Sequence, residues 1–447
     1  MSEQKQGGST RPSRGAGALN HGVQKREVWA WAMYDFANSG YTTVVITAVY
    51  NAYFVAVIAG NAPWASFAWS AALAVSYAAI MLTGPLLGAY ADQHGAKKKL
   101  LLLSTIGCVA GTVLLAWASP GQVALAMALI ALSNFFFGTG ENLIAAFLPE
   151  LARGRALGKV SGWGWGLGYV GGLLVLAIAL GYVDHVQSRG GVATDFVPGV
   201  LFITATLFTI SVLPTFLFLK ERAQPRPATA GFARDAFRRV ADSFAHARQY
   251  RDLFRFLICI VFYQAGIQAV IALAAIYAQQ AMGFDTRQTI QLILLVNITA
   301  AAGAFGFGYV QDRIGHKRAV GITLLGWLAM VALAYTAVEA SRFWLAANLA
   351  GLCLGASQSA GRAFIGYLSP SARRAEFFGL WGLAVKLSSI LGPMTYGAAA
   401  WASGGDHRLA MLFTGVYFLV GLAVLLGIDV QRGRRAALRN GRNKLSI

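Results

Sequence analysis

The sequence predicts an all-α polytopic membrane protein of twelve transmembrane helices, built as two pseudo-symmetric six-helix halves. Three observations carry this expectation. The 447 residues are 57% hydrophobic and only 12% charged, with a mean hydropathy of +0.56, whereas soluble domains cover their surface with roughly 25% charged residues. Apolar runs of roughly 20 residues recur, each long enough to cross a ~30 Å hydrocarbon core, and a helix satisfies its own backbone there. Between two such runs lies Gly88-Ala-Tyr-Ala-Asp92-Gln-His-Gly95-Ala-Lys97-Lys98, which returns as Gly308-Tyr-Val-Gln-Asp312-Arg313-Ile-Gly315-His-Lys317-Arg318. Both fit G-x-x-x-D-x-x-G-x-[KR]-[KR], with a constant offset of 220 (308 − 88, 312 − 92, 315 − 95). An internal repeat of half the chain means the fold is built twice.

The charge distribution orients the chain. A net charge of +19 in a soluble protein would suggest a nucleic-acid partner. With a cytoplasmic N-terminus and twelve spans, however, 31 of the 37 Lys and Arg fall on the cytoplasmic side. Arg189, Arg287, Arg342 and Arg408 lie outside, and Arg362 and Lys386 lie within spans. This is the positive-inside asymmetry, and no nucleic-acid partner is expected. The reading is an integral plasma-membrane protein, in a bacterium the inner membrane, with both termini cytoplasmic. Cys108, Cys259 and Cys353 all sit in apolar runs and form no metal-ligand spacing.

In order, residues 1–27 are Gly/Ser/Arg/Gln-rich and read as a disordered cytoplasmic tail. The N-terminal half is expected over 28–219. Its first span, Val28 to Ala59, opens with Trp29 and Trp31, which suit a headgroup boundary. Asp35 in it lies either at the inner interface or about two turns into the bilayer. Spans follow at Trp64–Tyr90, Leu100–Ala118, Val123–Leu148, Val160–Val183 and Val200–Leu219. Gly166, Gly168 and Gly171 spell G-x-G-x-x-G inside the fifth, but no strand precedes them, so a dinucleotide site is not expected. Gly164, Gly168 and Gly172 instead share one helical face that admits a close neighbour.

Residues 220–255 form the inner linker between halves. Phe232, Phe237, Val240 and Phe244 recur at near-helical spacing among arginines, which reads as an amphipathic surface helix on anionic lipid or as a solvated linker. The C-terminal half is expected over 256–428, with spans at 256–279, 289–308, 320–338, 343–368, 377–402 and 409–428. Residues 429–447 form a basic cytoplasmic tail, solvated or in contact with anionic lipid.

Two six-span repeats with this loop after spans two and eight resemble the major facilitator superfamily. Within it, Tyr34-Asp35-Phe36-Ala37-Asn38-Ser39, Phe147-Leu148-Pro149, Gln358-Ser-Ala-Gly-Arg362, Glu376-Phe377-Phe378-Gly379, Lys386 and Gly392-Pro393 resemble the vacuole-effluxer-like (autophagy-related amino-acid effluxer-like) branch, bacterial type. The first loop departs in carrying Gln93 and Ala96 where the superfamily usually has arginines. The resemblance implies alternating access, with amino-acid export as the activity of eukaryotic members. It also implies that Asp92 meets the N-terminal end of span eleven and Asp312 that of span five, where a helix dipole favours an anion. Gly88, Asp92, Gly95, Lys97, Gly308, Asp312, Arg313, Gly315, Lys317 and Arg318 would then form a conformational latch, and Gly392 and Pro393 a packing site.

Ionisable residues inside spans are costly unless paired or water-facing, so they mark function. Glu141 lies eight residues before Pro149 and Arg362 eight before Pro370, each about 12 Å in from the cytoplasmic end. Lys386, nine residues into span eleven, falls at similar depth. Asp35, Asn38, Glu141, Asn142, Gln358, Arg362 and Lys386 are therefore the candidates for a central substrate or coupling-ion site, or else structural ion pairs. Tyr34, Gln264, Gln268 and Asn297 could add polar lining or bond between helices.

No G-x-x-x-x-G-K-[ST] loop occurs, every histidine lies outside the expected spans, and no nucleophile–His–carboxylate set declares itself. Enzymatic chemistry, a metal and a cofactor are not expected. The expected activity is secondary transport of a small polar solute, coupled to protons or cations, by a monomer, and the resemblance implies export of an amino acid or short peptide. The alternatives are a drug or metabolite exporter, or a non-transporting receptor or scaffold.

Overall fold

The computed structural model of the chain describes residues 19–62, 64–154, 156–222, 238, 250–284, 286–404 and 406–442. Among them are twelve long helices: α1 (Lys25–Ile58), α2 (Ala65–His94), α3 (Lys97–Leu114), α4 (Val123–Ala145), α5 (Ala156–Gln187), α6 (Ala193–Phe218), α7 (Arg251–Gln280), α8 (Thr286–Ile314), α9 (His316–Thr336), α10 (Ala340–Leu368), α11 (Arg374–Ala402) and α12 (His407–Leu426). A thirteenth, α13 (Val430–Arg442), follows α12 directly. Eleven of the twelve are long and apolar enough to cross a membrane; the exception is α10. That helix carries Asn348, Gln358 and Arg362, so its lower hydropathy reflects polar groups turned inward. The pattern of burial is that of a lipid-solvated protein: Leu82, Leu217 and Phe413 are exposed, while Arg362, Lys386, Asn142 and Gln264 are buried.

The unusual length of the first span has a local cause. α1 is α-helical over Lys25–Tyr41, then π-helical over Thr42–Ala48 and again over Phe54–Ile58. The first π stretch contains the β-branched run Thr42-Thr43-Val44-Val45-Ile46-Thr47, which crowds a regular α-turn, and Thr47 Oγ1 donates to the Thr42 carbonyl five residues back (3.0 Å). Most of the other helices start two to seven residues before the expected spans, at their polar or charged ends, and several end one to four residues sooner.

Both described chain ends lie on one side, here termed the basic face. Two expectations about them are corrected. Residues 19–27, expected in a disordered tail, are ordered against the protein, because Asn20 Nδ2 donates to the Pro149 (3.0 Å) and Glu150 (2.7 Å) carbonyls. Residues 430–442 are a docked helix, because Arg432 grips buried Asp252 through two bonds (2.7 and 2.8 Å). The amphipathic helix expected at 232–244 lies outside the described residues.

Candidate functional site

Each half contributes two of the four charges at mid-depth, and each ion pair joins the halves. Asp35 lies ten residues into α1, about 15 Å from its start, which places it well inside the span. Its Oδ2 accepts from Arg362 of α10 (2.6 Å). The guanidinium also donates through Nε to Ser161 Oγ (3.1 Å) and through Nη2 to the Ser161 carbonyl (3.0 Å), on α5. The guanidinium also lies over the rings of Trp31 and Trp165, at 4.8 and 5.3 Å from the ring centroids. A methyl group on Gly164 would collide with Asp35 Oδ2, Arg362 Nη2 and Trp31. Glycine at this point therefore lets α5 carry the ion pair directly on its backbone.

The second pair joins Glu141 of α4 to Lys386 of α11 (3.2 Å). The ammonium lies over Tyr77 (5.4 Å) and Phe137 (5.8 Å). The pairs differ in access: side-chain exposure is 12% for Asp35 and 3% for Arg362, against 24% for Glu141 and 10% for Lys386. The first is wrapped by protein; the second keeps one carboxylate open.

The polar candidates fall around these pairs. Asn38, one turn from Asp35, is buried with Oδ1 lacking a partner. Asn142 has neither amide atom bonded and sits in a notch shaped by Gly84 and Gly382. Gln358 accepts from Gln264 (2.6 Å) within the C-terminal half. Tyr34 bonds Thr105 (3.1 Å), and Asn297 bonds only its own helix. Trp31, read from sequence as a headgroup anchor, is instead fully buried against Arg362, whereas Trp29 is exposed. Trp165, Ser161, Tyr77 and Phe137 were not singled out by sequence; only the tryptophan set among the glycines of α5 gave a signal.

The repeated loops meet the opposite half at the basic face. Asp92 Oδ2 accepts from the Glu376 amide (3.1 Å) at the start of α11, and Asp312 from the Lys159 amide (3.3 Å to each oxygen) near the start of α5. A methyl on Gly88 would collide with the Ala375 carbonyl, and one on Gly308 would lie 2.8 Å from the Gly158 carbonyl. Gly95 and Gly315 hold positive φ (59° and 92°), the conformation that lets each helix end and turn.

The bonds of the loop lysines run within each half. Lys97 pairs with Glu150 of its own half and lies 3.9 Å from both Asp92 and Glu221. Lys317 caps the end of α12 through the Leu426 (2.9 Å) and Ile428 (2.7 Å) carbonyls. Arg313 and Arg318 are exposed. The aspartates and glycines thus cross between halves, while these two lysines brace each half internally.

α5 packs on two sides. Gly164, Gly168 and Gly172 face α1, through Asp35, Ser39 and Thr43. A second row, Gly158, Gly162 and Gly166, faces α8 through Gln311, Ala304 and Phe305. Gly392 meets the Ala265 carbonyl of α7, and Pro393 lies in the same turn of α11. Contacts between the halves run from the two ion pairs down to the basic face, through Gly84–Gly379, Gly366–Pro149, Ser161–Ser359 and His316 to the Gly154 carbonyl (3.1 Å). These contacts close the seam on the basic side.

Glu221 borders this seam, and its Oε2 accepts from the Lys98 amide (2.7 Å). Burial, together with nearby Glu150 and Asp92, raises its carboxyl above the ordinary range against the opposing pull of Lys98 and Lys97. A raised carboxyl contributes stability fully present below the unfolded value and lost as pH rises through the folded one. Glu221→Gln is therefore expected to melt about 1–3 °C higher than the parent at pH 7 and to match it near pH 4. Identical pH slopes for the two proteins would contradict this placement.

The sequence profile of the family described as "Vacuole effluxer Atg22 like" matches residues 50–438. An uncharacterized MFS-type transporter of Bacillus subtilis, YxiO, is 26% identical over 403 residues, covering 89% of this chain and 93% of that one. Autophagy-related protein 22-1 of Penicillium rubens is 25% identical over 306 residues, covering 63% of this chain and 51% of its own. The chain thus spans about half the length of that fungal relative. Among solved structures, the human organic anion transporter MFSD10 superposes with a TM-score of 0.70 at 16% identity, covering 90% of this chain and 99% of that one. A bacterial homologue of the iron transporter ferroportin, in an outward-facing state, gives 0.69 at 12% identity, covering 90% and 99%. At these identities the structures share the fold.

Proposed function

Because the chain belongs to the vacuole effluxer Atg22-like family of MFS-type transporters, we propose that it exports a small zwitterionic solute, an amino acid or short peptide, by alternating access coupled to protons. The observation that carries this reading is the Glu141–Lys386 pair, which is bonded across the halves yet partly open. A solute bearing both an ammonium and a carboxylate can insert between these side chains. It replaces one internal ion pair with two external ones, so neither buried charge is left alone. A solute of one sign would strand the other partner.

Asp35–Arg362 is assigned to coupling. It is enclosed by Trp31, Trp165 and Ser161 and offers a solute little access. A proton on Asp35 would neutralise the carboxylate and remove the ionic one of Arg362's cross-half bonds, leaving its two bonds to Ser161 and weakening the seam below. With the basic face cytoplasmic, in the inner membrane of a bacterium, the closed basic seam would correspond to a state shut toward the cytoplasm, and the exported solute would leave on the opposite side.

The test is counterflow in proteoliposomes with a panel of amino acids and dipeptides, paired with thermal shift of the purified protein. Glu141→Gln and Lys386→Ala are each expected to lower flux at least about 10-fold and to remove the ligand-induced shift. Flux and shift that survive both substitutions would overturn the site. A panel of purely anionic solutes that stabilises the protein while zwitterions do not would overturn the substrate class.

A further inference from the structure

We infer that α13 is a two-faced interfacial helix whose outer face binds anionic phospholipid on the basic side of the membrane. The helix begins four residues after α12 ends at Leu426, so it lies at the level where that membrane span emerges. Asp429 fixes its start by accepting from the Gln431 (2.9 Å) and Arg432 (3.0 Å) amides. The turn before it is held by Lys317, and by Arg255 donating to the Gly427 carbonyl (2.7 Å). The geometry is built, not a trailing end.

One face is committed to protein. Arg432 grips Asp252 at the start of α7, Gly433 packs on Leu368 and Asp252, and Ala437 is buried. Arg434 donates to the Tyr367 carbonyl (2.8 Å) at the end of α10 and lies over that ring (4.7 Å). The opposite face presents Arg435, Leu438 and Arg439, at i, i+3 and i+4 spacing, all exposed. Two guanidinium groups flanking an exposed leucine match a phosphate-bearing headgroup over the first carbons of an acyl chain. Their charge selects anionic lipid over zwitterionic lipid.

Binding there would reach the transport core. Tyr367 lies five residues from Arg362 on the same helix, so lipid that steadies α13 also steadies the end of α10 that holds the ion pair. The inference does not depend on the identity of the solute.

The experiment reconstitutes the full chain in nanodiscs of phosphatidylcholine alone and of equimolar phosphatidylcholine and phosphatidylglycerol. It reads the melting temperature and the lipid retained on gentle release into the gas phase. Phosphatidylglycerol is expected to raise Tm by about 3–5 °C and to be retained preferentially. The double variant Arg435→Gln/Arg439→Gln is expected to lose at least about two-thirds of that gain while melting like the parent in phosphatidylcholine. Asp252→Asn, which frees α13 from the core, is expected to keep preferential retention but lose the Tm gain. Equal retention of both lipids, an absent Tm gain, or a gain unchanged in the double variant would each overturn the inference. The last result would move the lipid site to another basic surface.

Discussion

Arg362→Ala is expected to reduce transport by at least about 100-fold, a barrier change of about 2.7 kcal/mol, and to destabilise the protein as well. The substitution removes the bond to Asp35, two bonds to Ser161 and two aromatic faces. It leaves the Asp35 carboxylate enclosed without its cation, and breaking a buried pair from one side costs about 3–5 kcal/mol. Removing both charges together should be milder. Asp35→Asn/Arg362→Gln is expected to recover most of the lost stability without recovering transport, because the neutral pair can bond but cannot exchange a proton. Arg362→Lys keeps the charge but cannot reach Asp35 and both Ser161 acceptors at once. Melting curves and counterflow on the three variants check this. Transport restored by the neutral pair would show that its role is packing alone.

Gly88→Val is expected to hold the basic face open. Its side chain would enter the space of the Ala375 carbonyl and the Glu376 amide, and neither backbone group can move aside without parting α2 from α11. Overpacking of this kind costs about 1–3 kcal/mol, and here the cost falls on the closed state alone, shifting the balance by roughly 5- to 150-fold. Ser359→Cys, buried at the seam beside Ser161, reports the shift through labelling by an impermeant maleimide from the basic side. Native Cys108, Cys259 and Cys353 are buried and free, so background labelling should be low. Labelling should rise at least about 5-fold in the Gly88→Val background; an unchanged rate would mean that the seam does not govern access.

Much of this arrangement is legible in the sequence because it rests on period and repetition. Twelve apolar runs, a 220-residue offset and the two loop aspartates follow from spacing, and both aspartates reach the helix ends that the family resemblance implied. Glu141, Arg362 and Lys386 stand out because charge is rare in such runs. Which carboxylate meets which cation is not legible, since it depends on the azimuth of four helices from two halves. Trp31 misleads for the same reason: an aromatic near a helix start is as common at a headgroup boundary as over a buried guanidinium. The second glycine row of α5 was visible as composition, but its partner helix was not. α13 is hidden by its polarity, because five arginines obscure the few small residues that let it dock.

Both carboxylates of the site belong to the N-terminal half and both cations to the C-terminal half. The membrane potential does work of about 2.3 kcal/mol on each elementary charge moved through 100 mV. While bonded, the two negative and two positive groups sum to zero in that work, so the closed charge cluster is electrically balanced. Under the proposed function the voltage would act on cargo: a zwitterion would cross without it, and an accompanying proton would feel all of it. Separating the halves without cargo would pull like-signed pairs away from their partners in a medium that screens them poorly. The same charge arrangement that balances the cluster would also resist an empty cycle and so tie flux to the presence of a solute.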